Sequence, residues 1–241
     1  MTVLHLADEG EAADLAAFLS RLLHYDRSAA VRLQAAGTAL AVFGRPPSFE
    51  VLAVRTVRLA KPYEHGLDAT LDVTVSAGEL LESVDERSAT ARVPGAVTGP
   101  PWAGVLPPRG GWRAEPGLPA PDALRALVAA AVAEFRARTE ELAAEDRTRA
   151  ALDGIGREIW SRTVGDTGLP VRAVHAAQSL GFLRPRGASG PEAGIGTGSG
   201  FGSGEDAPRL FSSGAWLRLR TPFGSVALRR AGTGALGISV R

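Results

Sequence analysis

Histidine is the residue type in this chain best suited to acid–base or metal chemistry, and four occur: His5, His24, His65 and His175. No two of them have the spacing His-x-His or His-Glu-x-x-His, so sequence neighbours supply no zinc site. If the chain is an enzyme, His24, His65 and His175 are the candidates for a general base. His175, however, lies among alanines with no obvious orienting partner, which favours a surface or half-buried structural histidine.

Missing residue types exclude several other mechanisms. The chain has no cysteine, which excludes disulfides, thiolate zinc sites, iron–sulfur clusters and a cysteine nucleophile. Lys61 is the only lysine, and Schiff-base, Ser–Lys and phosphate-loop chemistry each need a placed lysine. Abundant Ala, Gly, Pro and Arg with almost no Lys is typical of the coding bias of a GC-rich bacterial genome. We predict neither a cofactor nor a metal ion.

The glycine-rich segment 187–208 contains no complete nucleotide-binding or hydrolase motif. Gly194 and Gly196 begin a G-x-G-x-x-G pattern, but Ser199 stands where the last glycine belongs. No apolar strand precedes the segment and no helix follows it, whereas a dinucleotide site needs both. The nucleophile pattern G-x-S-x-G is absent as well. The sequence therefore points away from an enzyme, although a site assembled from distant residues stays open.

With 241 residues, of which 45% are hydrophobic and 22% charged, the chain is typical of a globular protein of one large or two small domains. Its net charge of +1 gives no overall attraction to nucleic acid or anionic lipid. The N-terminal segment reaches acidic residues before any apolar run of signal-peptide length, and no stretch of about 18 residues is apolar enough to span a membrane. We expect a cytoplasmic protein that does not enter a membrane.

Periodicity in residues 1–93 predicts a β-rich α+β domain with one or two helices. Apolar residues at helical spacing, Phe18 and Leu22 among them, predict a helix with a buried face. Ser76 and Glu79 form a capping box that predicts a second, short helix. Alternating or β-branched runs predict strands at Val3–Leu6, Val31–Ala35, Leu40–Phe43, Val51–Leu59, Leu71–Val75 and Ala89–Val93.

The remainder of the chain is predicted to form four segments. Residues 94–121 contain eight prolines with Trp102 and Trp112, which favours an ordered connector packed on the protein over a polyproline ligand. Residues 122–186 are predicted to be a helical region, and residues 187–208 a mobile Gly/Ser-rich linker. Residues 209–241 are predicted to be an arginine-rich β-hairpin or small antiparallel sheet, with strands Trp216–Arg220, Val226–Arg229 and Leu236–Val240.

The strongest charge asymmetry lies in the last segment, which has no acidic residue after Asp206. On the predicted strand Trp216–Arg220, Arg218 and Arg220 point to one face, opposite Leu217 and Leu219. Such a face either binds phosphate groups or is simply solvated.

Two predicted helices, Asp153–Thr163 and Pro170–Leu180, precede Gly181-Phe182-Leu183-Arg184 and the hairpin, and this order resembles the latter part of a winged-helix domain. The resemblance implies DNA binding. It places Arg172, His175 and Gln178 on the helix face toward the groove. It places four arginines on the wing: Arg218, Arg220, Arg229 and Arg230. The chain departs from that family in the long linker before the hairpin and in the alanine-rich second helix. The N-terminal element order is similar in topology to half of a sliding-clamp-type domain, which points to a scaffold that binds rather than transforms.

These observations give one leading function and two alternatives. The leading expectation is a non-catalytic binding or assembly protein that acts through protein–protein contacts, including self-association. The long alanine-rich helix, expected at Asp122–Glu145, is the surface that would pack against a partner helix. The first alternative is a nucleic-acid-binding protein that uses the seven winged-helix positions, and the second is an enzyme built on distant histidines.

Overall fold

The computed structural model describes residues 2–60, 71–184 and 207–230. Several sequence predictions lie outside these ranges: Lys61, His65, most of the linker 187–208 and the strand Leu236–Val240. None of the helices in the described ranges is both long and apolar enough to cross a membrane. The α+β class is confirmed, with strands first, helices in the middle and antiparallel strands at the end.

The described residues form the following strands and helices. The strands are β1 (Val3–His5), β2 (Ala30–Ala36), β3 (Ala39–Gly44), β4 (Leu52–Arg58), β5 (Asp72–Ser76), β6 (Val84–Asp85), β7 (Thr90–Arg92), β8 (Arg113–Glu115), β9 (Arg209–Ser213), β10 (Trp216–Thr221) and β11 (Gly224–Arg229). The helices are α1 (Glu9–Tyr25), α2 (Ala77–Glu82), α3 (Pro121–Glu140), α4 (Arg149–Ser161) and α5 (Val171–Ser179).

Eight strands make one antiparallel sheet in the order β5-β2-β3-β4-β11-β10-β9-β8. Strand β11 pairs with β4, with Ser225 opposite Val54 and Ala227 opposite Leu52. The predicted C-terminal hairpin is therefore not a separate small sheet but continues the N-terminal one. A second sheet, β1-β7-β6, lies beside it.

Local sequence signals explain most helix ends. Asp8 caps α1 by accepting a hydrogen bond from the Glu11 amide at 2.8 Å. Ser76 caps α2 from the Glu79 amide, as the capping box predicts. Gly181 follows α5 with φ +76°, a left-handed conformation that suits glycine and ends the helix.

Helix α3 is shorter than predicted, because it ends at Glu140 and not at Glu145. The guanidinium of Arg147 folds back and donates to the carbonyls of Glu140 and Leu142, at 2.9 and 3.0 Å. These bonds satisfy carbonyls that a continuing helix would have used. Leu142 therefore lies outside the helix, and a short 3₁₀ turn follows at Ala144–Asp146.

The inner face of the large sheet carries the main core. Strand alternation places Leu33, Val42 and Leu219 on this face, and each is fully buried. Helices α1 and α5 cover it, and α3 and α4 pack behind α5. Phe18 and Leu22 of α1 are 1% and 2% exposed, so the predicted core face of that helix is confirmed.

The described residues cover only part of the outer face of the sheet. The 3₁₀ segment Pro101–Gly104 places Trp102 against a small apolar cluster of Phe43, Leu52 and Val54, so the prediction that this tryptophan packs on the protein is confirmed. Toward β9 and β10 the outer face carries arginine side chains instead. The 3₁₀ part of the proline-rich segment therefore shields one half of this face, and arginine and aromatic side chains occupy the other half.

Candidate functional site

Three arginines meet on the outer face of β9 and β10 and are called the arginine cluster below: Arg209, Arg218 and Arg220. Arg220 lies directly opposite Arg209 in the strand register, and Arg218 is two residues along the same face. Like charges directly opposite each other on antiparallel strands destabilise a sheet by up to about 1 kcal/mol. The fold thus brings together three positive charges that repel one another.

Within the described ranges, no acidic side chain forms an ion pair with the arginine cluster. Arg218 Nε donates to Ser225 Oγ at 2.9 Å, and its guanidinium carbon lies 5.8 Å from the ring centroid of Trp112. The guanidinium of Arg209 lies 5.6 Å from the ring centroid of Phe211. Neutral hydroxyl and aromatic partners orient these cations but leave their charge uncompensated.

Arg218 is the most enclosed member of the cluster. Burial, and after it the charge of Arg220, lowers the pKa of Arg218 below its ordinary value. Arginine nevertheless stays protonated in proteins, so a bound anion would lower this unfavourable energy. The cluster therefore has the electrostatic character of an anion-binding site.

A cavity of about 260 Å³ lies beside the cluster, at the turn between β10 and β11. Its walls include Arg218 and Arg220, the hydroxyl residues Thr56 and Ser225, and the turn Thr221–Gly224. Guanidinium and hydroxyl groups are the donors that bind phosphate oxygens. The cavity and the cluster together can hold an oxyanion such as a phosphate group.

A second, larger cavity lies at the opposite end of β10 and is called the tryptophan pocket, after Trp102 and Trp216 in its wall. Its volume is about 460 Å³, and it brings together Arg172 and Arg229, two of the predicted site residues. The guanidinium of Arg229 lies 5.9 Å from the ring centroid of Trp216. Arg172 of α5 and Arg229 of β11 thus share one cavity.

His175 belongs to a row of aromatic contacts that runs from the partly buried Trp160 to the exposed His24. Its ring stacks on Trp160 with centroids 4.6 Å apart and meets Phe49 edge-on at 5.1 Å. Phe49 contacts Tyr25 at 5.3 Å, and Tyr25 contacts His24 at 5.3 Å. Burial lowers the pKa of His175. The half-buried structural role predicted for His175 fits this setting, and no carboxylate among the described residues orients it or His24 as a general base.

The remaining predicted residues do not join either cavity. Gln178 is exposed on α5, and Arg230 forms an ion pair with Glu115 at 2.9 Å. Moreover, α5 buries five of its nine residues against β11 and the neighbouring helices. A winged-helix protein needs a free recognition helix and a free hairpin, whereas here α5 is enclosed and the hairpin lies inside a sheet. Arg172 and His175 are partly buried in this arrangement, and their role in nucleic-acid binding stays a prediction.

In the parts of the chain that the structure describes, no group of three His, Asp or Glu side chains is arranged to hold a metal ion. Sequence reasoning missed Arg45, Trp102 and Trp216 as pocket residues, and it placed Arg209 in no site. Strand β9 was not predicted, so nothing in the sequence analysis indicated that Arg209 lies opposite Arg220. Alternation along β10 did place Trp216 on the same face as Arg218. The neighbouring strand β9, which adds Arg209 and Phe211 to that face, was the missing part of the prediction.

Two family models match the chain. The model described as Domain of unknown function (DUF8010) matches residues 1–104. The model described as Domain of unknown function (DUF8185) matches residues 107–233, which is just over half of the chain. No curated protein and no solved structure matches it.

Proposed function

The chain belongs to the DUF8185 family, and from its geometry we propose that it binds single-stranded nucleic acid on the outer face of its large sheet. The observation that carries the proposal is the arginine cluster, in which Arg220 faces Arg209 across two strands with no described acidic partner. A sheet that only needed a solvated face would gain stability from carboxylates at these positions. A phosphate backbone would supply the missing negative charge.

Aromatic side chains beside the cluster favour nucleic acid over a simple inorganic anion. Trp216 lies two residues from Arg218 on the same face of β10, and Trp112 and Phe211 contact the cluster arginines. At a strand rise of about 3.3 Å per residue, the face from Trp216 to Arg220 is about 13 Å long. Base stacking on aromatic rings next to a positively charged groove is the usual way of binding single strands without strong sequence preference.

The position of the surface argues against duplex DNA. The B-form major groove admits a helix or a two-stranded ribbon. Strands β10 and β11 lie inside an eight-stranded sheet, flanked by β4 and β9, and therefore cannot enter a groove as a free ribbon. A flexible single strand can instead lie flat across the face.

Fluorescence anisotropy with a labelled mixed-sequence single strand, at several salt concentrations from about 50 to 200 mM, tests the proposal. The variant is the triple substitution Arg209→Gln, Arg218→Gln and Arg220→Gln. Each phosphate contact on a single strand contributes about 0.7 to the slope of log K against log salt, so losing three contacts should flatten the slope by about 2.

The matched control changes the same net charge on the other side of the molecule. Arg136→Gln, Arg149→Gln and Arg157→Gln alter exposed arginines of α3 and α4, behind the inner face. This control should keep the wild-type slope. Equal flattening in both triple variants, or no binding by the wild type at low salt, would reject the proposal. Tighter binding to a duplex than to the single strand would reject its single-strand part.

Assembly through a protein partner, the leading expectation from the sequence, is the second candidate. Helix α3 exposes five alanines at alternating spacings of three and four residues, which is the spacing of a helix–helix seam: Ala123, Ala126, Ala130, Ala133 and Ala137. Small side chains allow two helix backbones to approach closely. A second copy of α3 is the simplest partner for this stripe.

Light scattering tests self-association directly. A concentration-dependent dimer that Ala130→Glu disrupts, and that Ala129→Glu leaves intact, would support assembly through the alanine stripe, because Ala129 is exposed beside it. A monomer at every concentration would remove self-association through this helix.

A further inference from the structure

The tryptophan pocket combines ring walls with cations in a cavity of ligand size. Its volume of about 460 Å³ falls within the range of about 300–1,000 Å³ typical of small-molecule sites. Trp102 comes from the 3₁₀ segment over the outer face and Trp216 from the start of β10, and Val51 and Leu52 add apolar surface. Such walls suit a flat apolar or aromatic group.

Charge in the pocket is unbalanced. Arg45, Arg172 and Arg229 line it together with one carboxylate, that of Glu50. The closest approach between Arg172 and Glu50 is 3.6 Å, from Nε to Oε2, which is too long for a hydrogen bond. Arg45 and Arg229 form no ion pair with any side chain in the described ranges. The pocket therefore has a net positive charge.

Hydrogen-bond donors in the pocket are unused. Arg172 Nε is enclosed and has no hydrogen-bond partner among the described residues. A buried N–H group without an acceptor is unfavourable, and native structures contain few of them. The unused donor of Arg172 shows that Glu50 does not fully satisfy the guanidinium group of this residue.

Backbone strain occurs at the same wall. Glu50 has φ 52° and ψ 35°, the left-handed conformation, although it is not a glycine. Sparsely populated backbone conformations in non-glycine residues cost of the order of 1 kcal/mol or more and cluster at ligand sites. Glu50, the residue in this conformation, is the only acidic side chain among the described residues that line the pocket.

We propose that the tryptophan pocket binds a small planar aromatic anion, with the ring between the two tryptophans and the anionic group among Arg45, Arg172 and Arg229. This inference does not rest on nucleic-acid binding, because the charged residues of the cavity are distinct from the arginine cluster, although Trp216 borders both surfaces. A nucleoside monophosphate and an aromatic carboxylate share this chemistry. The pocket arginines provide bidentate donors for either a phosphate or a carboxylate.

Isothermal titration calorimetry with four probes separates the parts of the proposal. AMP and 2-naphthoate carry both a ring and an anion, adenosine carries only the ring, and inorganic phosphate carries only the charge. At least one ring-bearing anion should bind at least about tenfold more tightly than adenosine or phosphate, because both kinds of contact are then made. Binding of AMP but not naphthoate identifies the nucleotide as the source, and the reverse identifies a carboxylate. If neither binds, or if adenosine or phosphate binds equally well at a site that Arg229→Gln weakens, the proposal is wrong.

Variants assign the binding to the pocket. Trp102→Leu and Arg229→Gln should each weaken binding about tenfold, the effect of losing a charge-assisted bond or a stacked ring. Arg136→Gln with Arg157→Gln is the matched control and should leave binding within about twofold, because those exposed arginines of α3 and α4 do not line this cavity. A loss in the control that equals the loss in Arg229→Gln would overturn the assignment.

Glu50→Gln gives a test that misfolding cannot imitate. Removing the only carboxylate of the pocket should tighten binding of the aromatic anion several-fold, since the amide no longer repels it. Unchanged or weaker binding in a folded Glu50→Gln protein contradicts the proposed position of the anion. If Arg229→Gln loses binding of the small anion but keeps binding of the oligonucleotide, the two ligands bind at separate sites, as the two proposals require.

Discussion

Asp14→Asn should destabilise the fold by about 3 kcal/mol, because Asp14 joins two enclosed arginines. Arg55 Nη2 donates to Asp14 Oδ2 at 2.9 Å, and Arg184 donates to Asp14 Oδ1. The side chain of Arg55 is 8% exposed and that of Asp14 is 24% exposed. Asparagine keeps the shape but removes the charge, so two guanidinium groups lose their common carboxylate.

The magnitude follows from what remains after the substitution. Removing one partner of a buried ion pair costs about 3–5 kcal/mol. Arg55 keeps an ion pair with Glu11 at 3.3 Å and a hydrogen bond to the Phe223 carbonyl at 2.7 Å. These partners, with the partial exposure of Asp14, place the expected cost at the lower end of that range.

Asp8→Asn on the same helix is the matched control. Asp8 pairs with Arg58 at 2.8 Å, but the two side chains are 50% and 68% exposed, so losing this pair costs at most about 0.5 kcal/mol. Asparagine also serves as a helix cap nearly as well as aspartate. The same chemical change is thus made at an exposed and at an enclosed pair.

Urea unfolding measures both variants without the ionic screening that guanidinium would add. We expect a large fall in the midpoint for Asp14→Asn, a small one for Asp8→Asn, and an unchanged dependence of the unfolding free energy on urea. If the two variants differ by less than about 0.5 kcal/mol, the reasoning from burial is refuted.

Three further perturbations follow from single contacts. Burial lowers the pKa of His175 in the folded state below the ordinary value of 6.5, so the unfolded chain takes up the proton first as the pH falls. The contribution of His175 to stability should therefore be constant above pH 6.5 and fall below it. His175→Phe should show a shallower fall when urea unfolding is measured across this pH range. Gly224→Ala should cost about 2 kcal/mol or more by thermal unfolding, since its Cβ would lie 2.5 Å from the Phe182 ring. Gly37→Ala, in open space with φ +57°, should cost only about 1 kcal/mol, and equal costs would exclude the clash. Phe18→Ala should cost about 3 kcal/mol or more in urea, and a loss within about 0.5 kcal/mol would contradict its place in the core.

Local patterns were enough to predict the elements that are stabilised by near neighbours. The apolar spacing around Phe18 and Leu22 predicted α1, and Ser76 with Glu79 predicted the start of α2. Strict alternation at Trp216–Arg220 and the turn at Pro222–Gly224 predicted β10 and β11. In each case the residues that determine the conformation lie within one element or one turn of each other.

Long-range pairing could not be predicted in this way. Strand β11 pairs with β4 about 170 positions earlier in the chain, where Ser225 meets Val54. Nothing in either strand's alternation specifies its partner, because any half-buried strand presents the same period. Strands β6 and β8 are two and three residues long, too short to show a period at all. The division into separate C-terminal segments therefore could not anticipate one continuous sheet.

The candidate site illustrates the same limit for charge. Counting arginines shows little in a chain where 26 of the 27 Lys and Arg residues are arginine. What separates the arginines is their partners. Arg162 binds Glu134 through two hydrogen bonds and Glu158 through a third, and two arginines together lower the pKa of Glu158 to about 2.

Arg162 and the arginine cluster have the same chemistry in opposite settings. On the helices, the spacing of Glu134, Glu158 and Arg162 produces neutral networks at an exposed surface. On β9 and β10, the register places Arg209 against Arg220 with only hydroxyl and aromatic neighbours in the described ranges. A folded chain that neutralises its arginines on one side and gathers them unpaired on the other has a surface whose electrostatic energy falls when an anion binds. The presence or absence of a carboxylate partner, which only the fold determines, is therefore the property that distinguishes a candidate anion-binding arginine from the many other arginines of this chain.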